Sequence, residues 1–127
     1  DEISGKIKII DIKTATMGWN KYQKADAVKS DQLLLYKEYY AKKHNVPVDM
    51  IDIEFLIFKR KLYENMDFPQ KRIQRHVPAN GTPSMNKMRA RFEEFLDSCY
   101  DESGQVKNIE YEKCVGKCKA FTKCKDL

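Results

Sequence analysis

Apolar and polar positions alternate through KIKIIDIKT, residues Lys6 to Thr14, and the richness in isoleucine predicts a largely buried strand entered through the tight turn of Ser4-Gly5. A looser stretch, ATMGWNKYQK, follows, with Gly18 as a breaker. From about Ala25 to His44 the apolar positions recur at helical spacing, with Val28, Leu35 and Tyr39 on one face, and Asn45 and Pro47 end the helix. Met50 to Lys59 predicts a second strand, with Ile51, Ile53, Phe55 and Ile57 on one side and Asp52 and Glu54 beginning the other. A third strand is expected around Lys71 to Val77. Turn residues gather in PANGTP, where Thr82 is read as an N-cap and Pro83 as the first-turn proline of a helix. Met85, Met88, Phe92, Phe95, Leu96 and Cys99 form that helix's apolar stripe.

The order strand, helix, strand, strand, helix predicts an α/β fold with a mixed central sheet flanked by helices, followed from Tyr100 by a lysine-rich tail that carries cysteines. At 127 residues, 42% hydrophobic and 34% charged, the chain suits one ordinary globular domain and is too apolar for a disordered tail. No run approaches membrane-spanning length and no signal peptide is visible, so no membrane partner and a cytoplasmic, or at least intracellular, location are expected. Lysine and arginine outnumber aspartate and glutamate by 24 to 19, a formal charge of +5 that modestly favours a polyanionic partner.

Asp11 and Lys13 lie two apart on the first strand, so their side chains leave from one face while Ile10 and Ile12 point the other way. A carboxylate and an ammonium set among isoleucines are costly unless paired or bound to a metal. Chemically they suit phosphodiester hydrolysis. The carboxylate holds a hard divalent ion such as Mg²⁺ or Mn²⁺, the lysine orients or deprotonates the attacking water, and the main-chain carbonyl of Ile12 is a further oxygen ligand. A simple ion pair at an exposed strand end is the alternative. On the helix that follows, Gln32 and Tyr36 are four apart and share a face, where they suit a phosphate backbone or base, or serve as ordinary surface polar groups.

The stretch IIDIKTA followed by QLLLY resembles the RecB-like branch of the PD-(D/E)XK nucleases, in which a strand ending D-x-K-T precedes a helix bearing Q-x-x-x-Y. The resemblance implies a restriction-endonuclease-like core over residues 1–100, metal binding by Asp11, catalysis by Lys13, and placement of DNA by Gln32 and Tyr36. It also implies an aspartate on the strand before D-x-K, a place only Asp1 can match, the alternative being a solvated terminal residue. An acidic or histidine-bearing helix further upstream has no counterpart, so the N-terminal part of the core is expected to be missing.

Cys114, Cys118 and Cys124, in C-x3-C-x5-C within the tail 101–127, suit Zn²⁺ or an iron-sulfur cluster; unpaired thiols and disulfides are the alternatives. They resemble the C-terminal cysteine trio of AddB-like members, which implies a [4Fe-4S] cluster, although the family spacing is one residue shorter and a fourth ligand is absent. Cys99 reads as a small core residue. His44 and His76 are isolated and read as structural, Trp19 as loop packing rather than a base-stacking platform with Lys21 and Tyr22, and Lys59, Arg60 and Lys61 as a solvated strand end or a track for phosphates. The expected function is a Mg²⁺-dependent deoxyribonuclease, an exonuclease of replication, recombination or repair that works on DNA with a helicase or other recombination protein. A noncatalytic DNA-binding or assembly module of degenerate nuclease fold is the alternative.

Overall fold

The structure, a computed structural model, describes residues 5–107, and Asp1, Cys114, Cys118 and Cys124 lie outside the described residues. The chain divides into two compact units, 1–90 and 91–127. The first contains β1 (Ile7–Ala15), α1 (Lys21–Ala25), α2 (Ala27–His44), a single 3-10 turn (Val48–Met50), β2 (Ile51–Lys59), β3 (Ile73–His76) and the start of α3 (Thr82–Cys99). The sheet order is β1-β2-β3, with β1 parallel and β3 antiparallel to β2. The described sheet is therefore mixed and the fold class α/β. A parallel pair needs a crossover, and α2 supplies it.

Register sets the two faces. Ile9, Asp11 and Lys13 stand opposite Ile53, Phe55 and Ile57, and Phe55 and Ile57 stand opposite His76 and Gln74. Paired residues point to the same side, so all of these share the face that α2 covers. Ile53, Phe55 and Ile57 pack there with Trp19, Leu33, Leu34, Met85 and Met88 into the hydrophobic core.

Three expectations are corrected. β1 is not largely buried: Ile10 is 46% and Ile12 62% exposed, because no described element covers the outer face at those positions. The stretch expected to be loose before Ala25 contains a short helix, since Asn20 forms a capping box with Gln23 for α1, and the helix expected from about Ala25 begins at Ala27, where the Asp26 carboxylate accepts from Val28 N–H. The buried face of α2 is not the Val28, Leu35, Tyr39 stripe either. Val28 is 79% exposed and Tyr39 is exposed, while Leu33, Leu34, Lys37, Glu38 and Ala41 are buried. Two charged residues on that face hide its periodicity, and each is compensated. Lys37 Nζ donates to Asn80 Oδ1 at 2.8 Å, and Glu38 pairs with Arg89 at 2.6 Å and Lys42 at 3.1 Å. Burial pushes the Lys37 ammonium below its usual pKa, whereas the Arg89 hydrogen bond outweighs burial and holds Glu38 below its own.

Thr82 is the first helical residue of α3, not its cap, since Met85 N–H donates to Gly81 O at 3.0 Å. Within the first unit, Met85 and Met88 bury as the stripe predicts. In the second unit the stripe is more open: Phe95 and Leu96 are exposed, Phe92 stacks on Phe95, and Cys99 is half-buried and free of disulfide among the described residues. A turn built on Asp101, whose Oδ1 accepts from Ser103 and Gln105, brings Val106 to bridge Tyr100. Among the described residues no helix is long and apolar enough to cross a membrane.

Candidate active site

Strand alternation places the Asp11 and Lys13 side chains on the covered face, and the carboxylate and ammonium meet at 2.9 Å. α2 brings Gln32 over them. Lys13 Nζ donates to Gln32 Oε1 at 2.8 Å, and Gln32 Nε2 donates to the Tyr36 hydroxyl at 2.9 Å. The four residues marked by the two sequence motifs thus form one continuous polar row, Asp11 to Lys13 to Gln32 to Tyr36. Gln32 and Tyr36 are adjacent because four residues make about one helical turn. Tyr36 keeps half its surface in solvent, at 47%.

Asp11 Oδ2 is buried and, despite its closeness to Lys13, receives no hydrogen bond of good geometry among the described residues. A carboxylate oxygen in that condition has lone pairs to offer a cation. The Ala15 carbonyl accepts from Arg60 N–H on the β2 side, at 2.9 Å, so strand alternation turns the Ile12 carbonyl to the open edge of the described sheet. The Ile12 side chain points to the outer face. Asp11 and the Ile12 carbonyl each offer a hard oxygen donor of the kind a divalent ion prefers. Among the described residues no group of three or more histidine, cysteine, aspartate or glutamate side chains gathers at one place.

Lys13 and Gln32 open on a groove of about 670 Å³, whose wall continues through Thr14, Thr16, Lys29 and Arg60. Its shape is set just after β1. Gly18 has φ 99°, a left-handed value, and a Cβ there would lie 2.9 Å from Gln74 Oε1. Gln74 in turn clamps the Trp19 backbone, accepting from its N–H at 2.7 Å and donating to its carbonyl at 3.1 Å. Trp19 is buried against Phe55, with ring centroids 5.0 Å apart, so it packs the loop and is not a stacking surface for a base. Lys29 Nζ lies over the Trp19 ring at 5.9 Å and pairs with Asp26, whose carboxyl this hydrogen bond holds below its usual pKa.

His76 stacks on Phe55, and its buried Nε2 has no hydrogen-bond partner among the described residues. His44 sits at the end of α2 against Tyr40, with centroids 4.2 Å apart. No motif marked Thr16 or Lys29, and Arg60 stood out only as one member of a basic cluster. No protein family model, curated protein or solved structure matches the chain at a significant level of similarity.

Proposed function

We propose that the chain is a metal-dependent deoxyribonuclease that hydrolyses phosphodiester bonds through Asp11 and Lys13, in the manner of the RecB-like PD-(D/E)XK nucleases. The observation that carries this reading is the polar row from Asp11 to Tyr36 beside a groove whose wall contains Lys13, Lys29 and Arg60.

In this reading Asp11 and the Ile12 carbonyl, with Asp1 from outside the described residues, hold Mg²⁺ or Mn²⁺. The ion supplies Lewis acidity at the phosphate and a more acidic water. Lys13 donates one of its three N–H groups to Gln32 Oε1 and forms an ion pair with Asp11 at 2.9 Å. A remaining N–H serves the attacking water or a phosphate oxygen, and the ammonium stabilises charge that builds there as the P–O bond to the leaving group breaks. Gln32 fixes the long lysine side chain, lowering the entropy lost when it engages substrate. Because the Tyr36 oxygen accepts from Gln32, its own proton is free to donate to the DNA backbone.

Cleavage of DNA in Mg²⁺ or Mn²⁺ by the wild-type chain and by Lys13→Ala tests the proposal. The variant should retain its fold and lose about two to four orders of magnitude in rate, the usual scale for a positioned proton donor or a preorganised charge. Equal activity in the two proteins would exclude the mechanism. The second reading, a noncatalytic DNA-binding module, draws support from the lack of a gathered acidic cluster among the described residues. DNA affinity without any metal-dependent cleavage would establish it.

A further inference from the structure

The groove runs on past Lys13, and its cations are not equivalent. Lys13 pairs with Asp11 and Lys29 with Asp26, whereas Arg60 makes no ion pair among the described residues. Its placement is built in. Beyond the end of β2 the hydrogen bonding continues, with Arg60 N–H donating to Ala15 O at 2.9 Å and Lys61 N–H to Thr16 O at 2.8 Å. This fixes Arg60 beside Thr16, and its Nη2 donates to Thr16 Oγ1 at 2.9 Å.

We propose that Arg60 and Thr16 form a second phosphate subsite, which holds the phosphate neighbouring the one engaged at Lys13. The proposal rests on the nuclease reading for the identity of the polymer. A guanidinium carries five donors in a planar fork, and one is directed to Thr16, which leaves enough for two parallel bonds to a phosphate. Thr16 accepts from Arg60, so its own hydroxyl proton is free to bond the same anion. Thr16 lies three positions on from Lys13, about 10 Å of extended chain at roughly 3.3 Å per residue. That spacing makes the two places distinct contacts on one strand.

The test is the salt dependence of binding to a fluorescent single-stranded oligonucleotide, followed by anisotropy in Ca²⁺ to hold off cleavage. Wild type is compared with Arg60→Gln, Arg60→Lys and Lys43→Gln. Lys43 is exposed near the far end of α2, about 16 Å along the helix from Gln32, and serves as a charge-matched control. Arg60→Gln should weaken binding several-fold and flatten the plot of log K against log salt by about 0.7, the loss of one single-strand phosphate contact. Arg60→Lys should keep the slope and lose part of the affinity, because charge remains without the fork. Lys43→Gln should keep the wild-type slope. An unchanged slope in Arg60→Gln, or the same flattening in Lys43→Gln, overturns the subsite. If wild type cleaves DNA while Arg60→Gln binds as wild type does, the subsite alone falls. If Arg60→Gln flattens the slope but no variant cleaves, the subsite stands and the nuclease reading falls. No binding by wild type overturns both.

Discussion

Asp11 and Phe55 are register partners on adjacent strands and point to the same face of the sheet, yet Phe55 is sealed in the core and Asp11 belongs to a polar row. The next pair on that face repeats the contrast, with Ile57 fully buried and Lys13 hydrogen-bonded to Gln32. At these two positions the hydrophobic core thus gives way to polar groups one strand away, although Ile9 and Ala15 of β1 still pack against it. On the outer face β1 is inverted, with Ile10 and Ile12 in the open, while Glu54 of β2 is buried beneath Lys8 and Arg75. Glu54 apart, burial in β2 selects apolar groups, whereas β1 places the charged Asp11 and Lys13 on the covered face and Ile10 and Ile12 on the open one. A strand that covers Asp11 and Lys13 while leaving Ile10 and Ile12 open carries a cost in folding, because covered charges must be offset by partners such as Gln32.

The largest expected effect probes the core side of this boundary. Ile57→Ala should lower the unfolding free energy by about 2–5 kcal/mol, the range for truncating a buried isoleucine, read as a reduced urea midpoint at unchanged slope. Its neighbour should behave in the opposite way. Asp11→Asn should change stability by no more than about 1 kcal/mol, since Lys13 is partly in water and the ion pair is weak in proportion, while it abolishes metal-dependent cleavage. A variant at Asp11 as destabilising as the one at Ile57 would place the carboxylate in the structural core rather than at a site.

What was legible in the sequence follows the same division. β2 could be read because the apolar Ile51, Ile53, Phe55 and Ile57 recur at every second position, the mark of one buried face. Asp11 and Lys13 could be placed together because strand geometry leaves no choice, and Gln32 with Tyr36 because four residues nearly complete a helical turn. That Gln32 would reach Lys13 depended on the docking of α2, to which its own apolar pattern was a poor guide, since Lys37 and Glu38 occupy the buried side. The junction of Arg60 with Thr16 was beyond local reading, because it arises from the parallel register of β1 and β2.

A smaller effect is expected at Glu54. Lys8 and Arg75 engage its buried carboxylate, and the Arg75 hydrogen bond leads in lowering its pKa to about 2. A carboxyl depressed in the fold stabilises the protein above its unfolded value near 4.5 and loses that contribution as pH falls toward 2. Glu54→Gln should therefore cost about 1–2 kcal/mol near neutral pH, reduced by the solvent exposure of both partners, and only a small part of that at pH 2. Thermal unfolding of both proteins across that range checks it. A difference independent of pH would assign the role of Glu54 to packing rather than to charge.

The smallest effect is the sharpest test of the inversion in β1. Ile12 is 62% exposed on the outer face, in register with Leu56. Replacement by Thr keeps a β-branched side chain with high strand preference and removes apolar surface that is mostly hydrated already. The backbone carbonyl, which is the group proposed to face the ion, is unchanged. Ile12→Thr should thus leave the unfolding free energy within about 0.5 kcal/mol of wild type, as for surface substitutions away from special features, and leave the rate of cleavage intact. A loss of stability comparable to that of Ile57→Ala would mean that the outer face is covered in the folded protein. The isoleucines of β1 would then be core residues like those of β2, and only the Asp11–Lys13 face would still set the two strands apart.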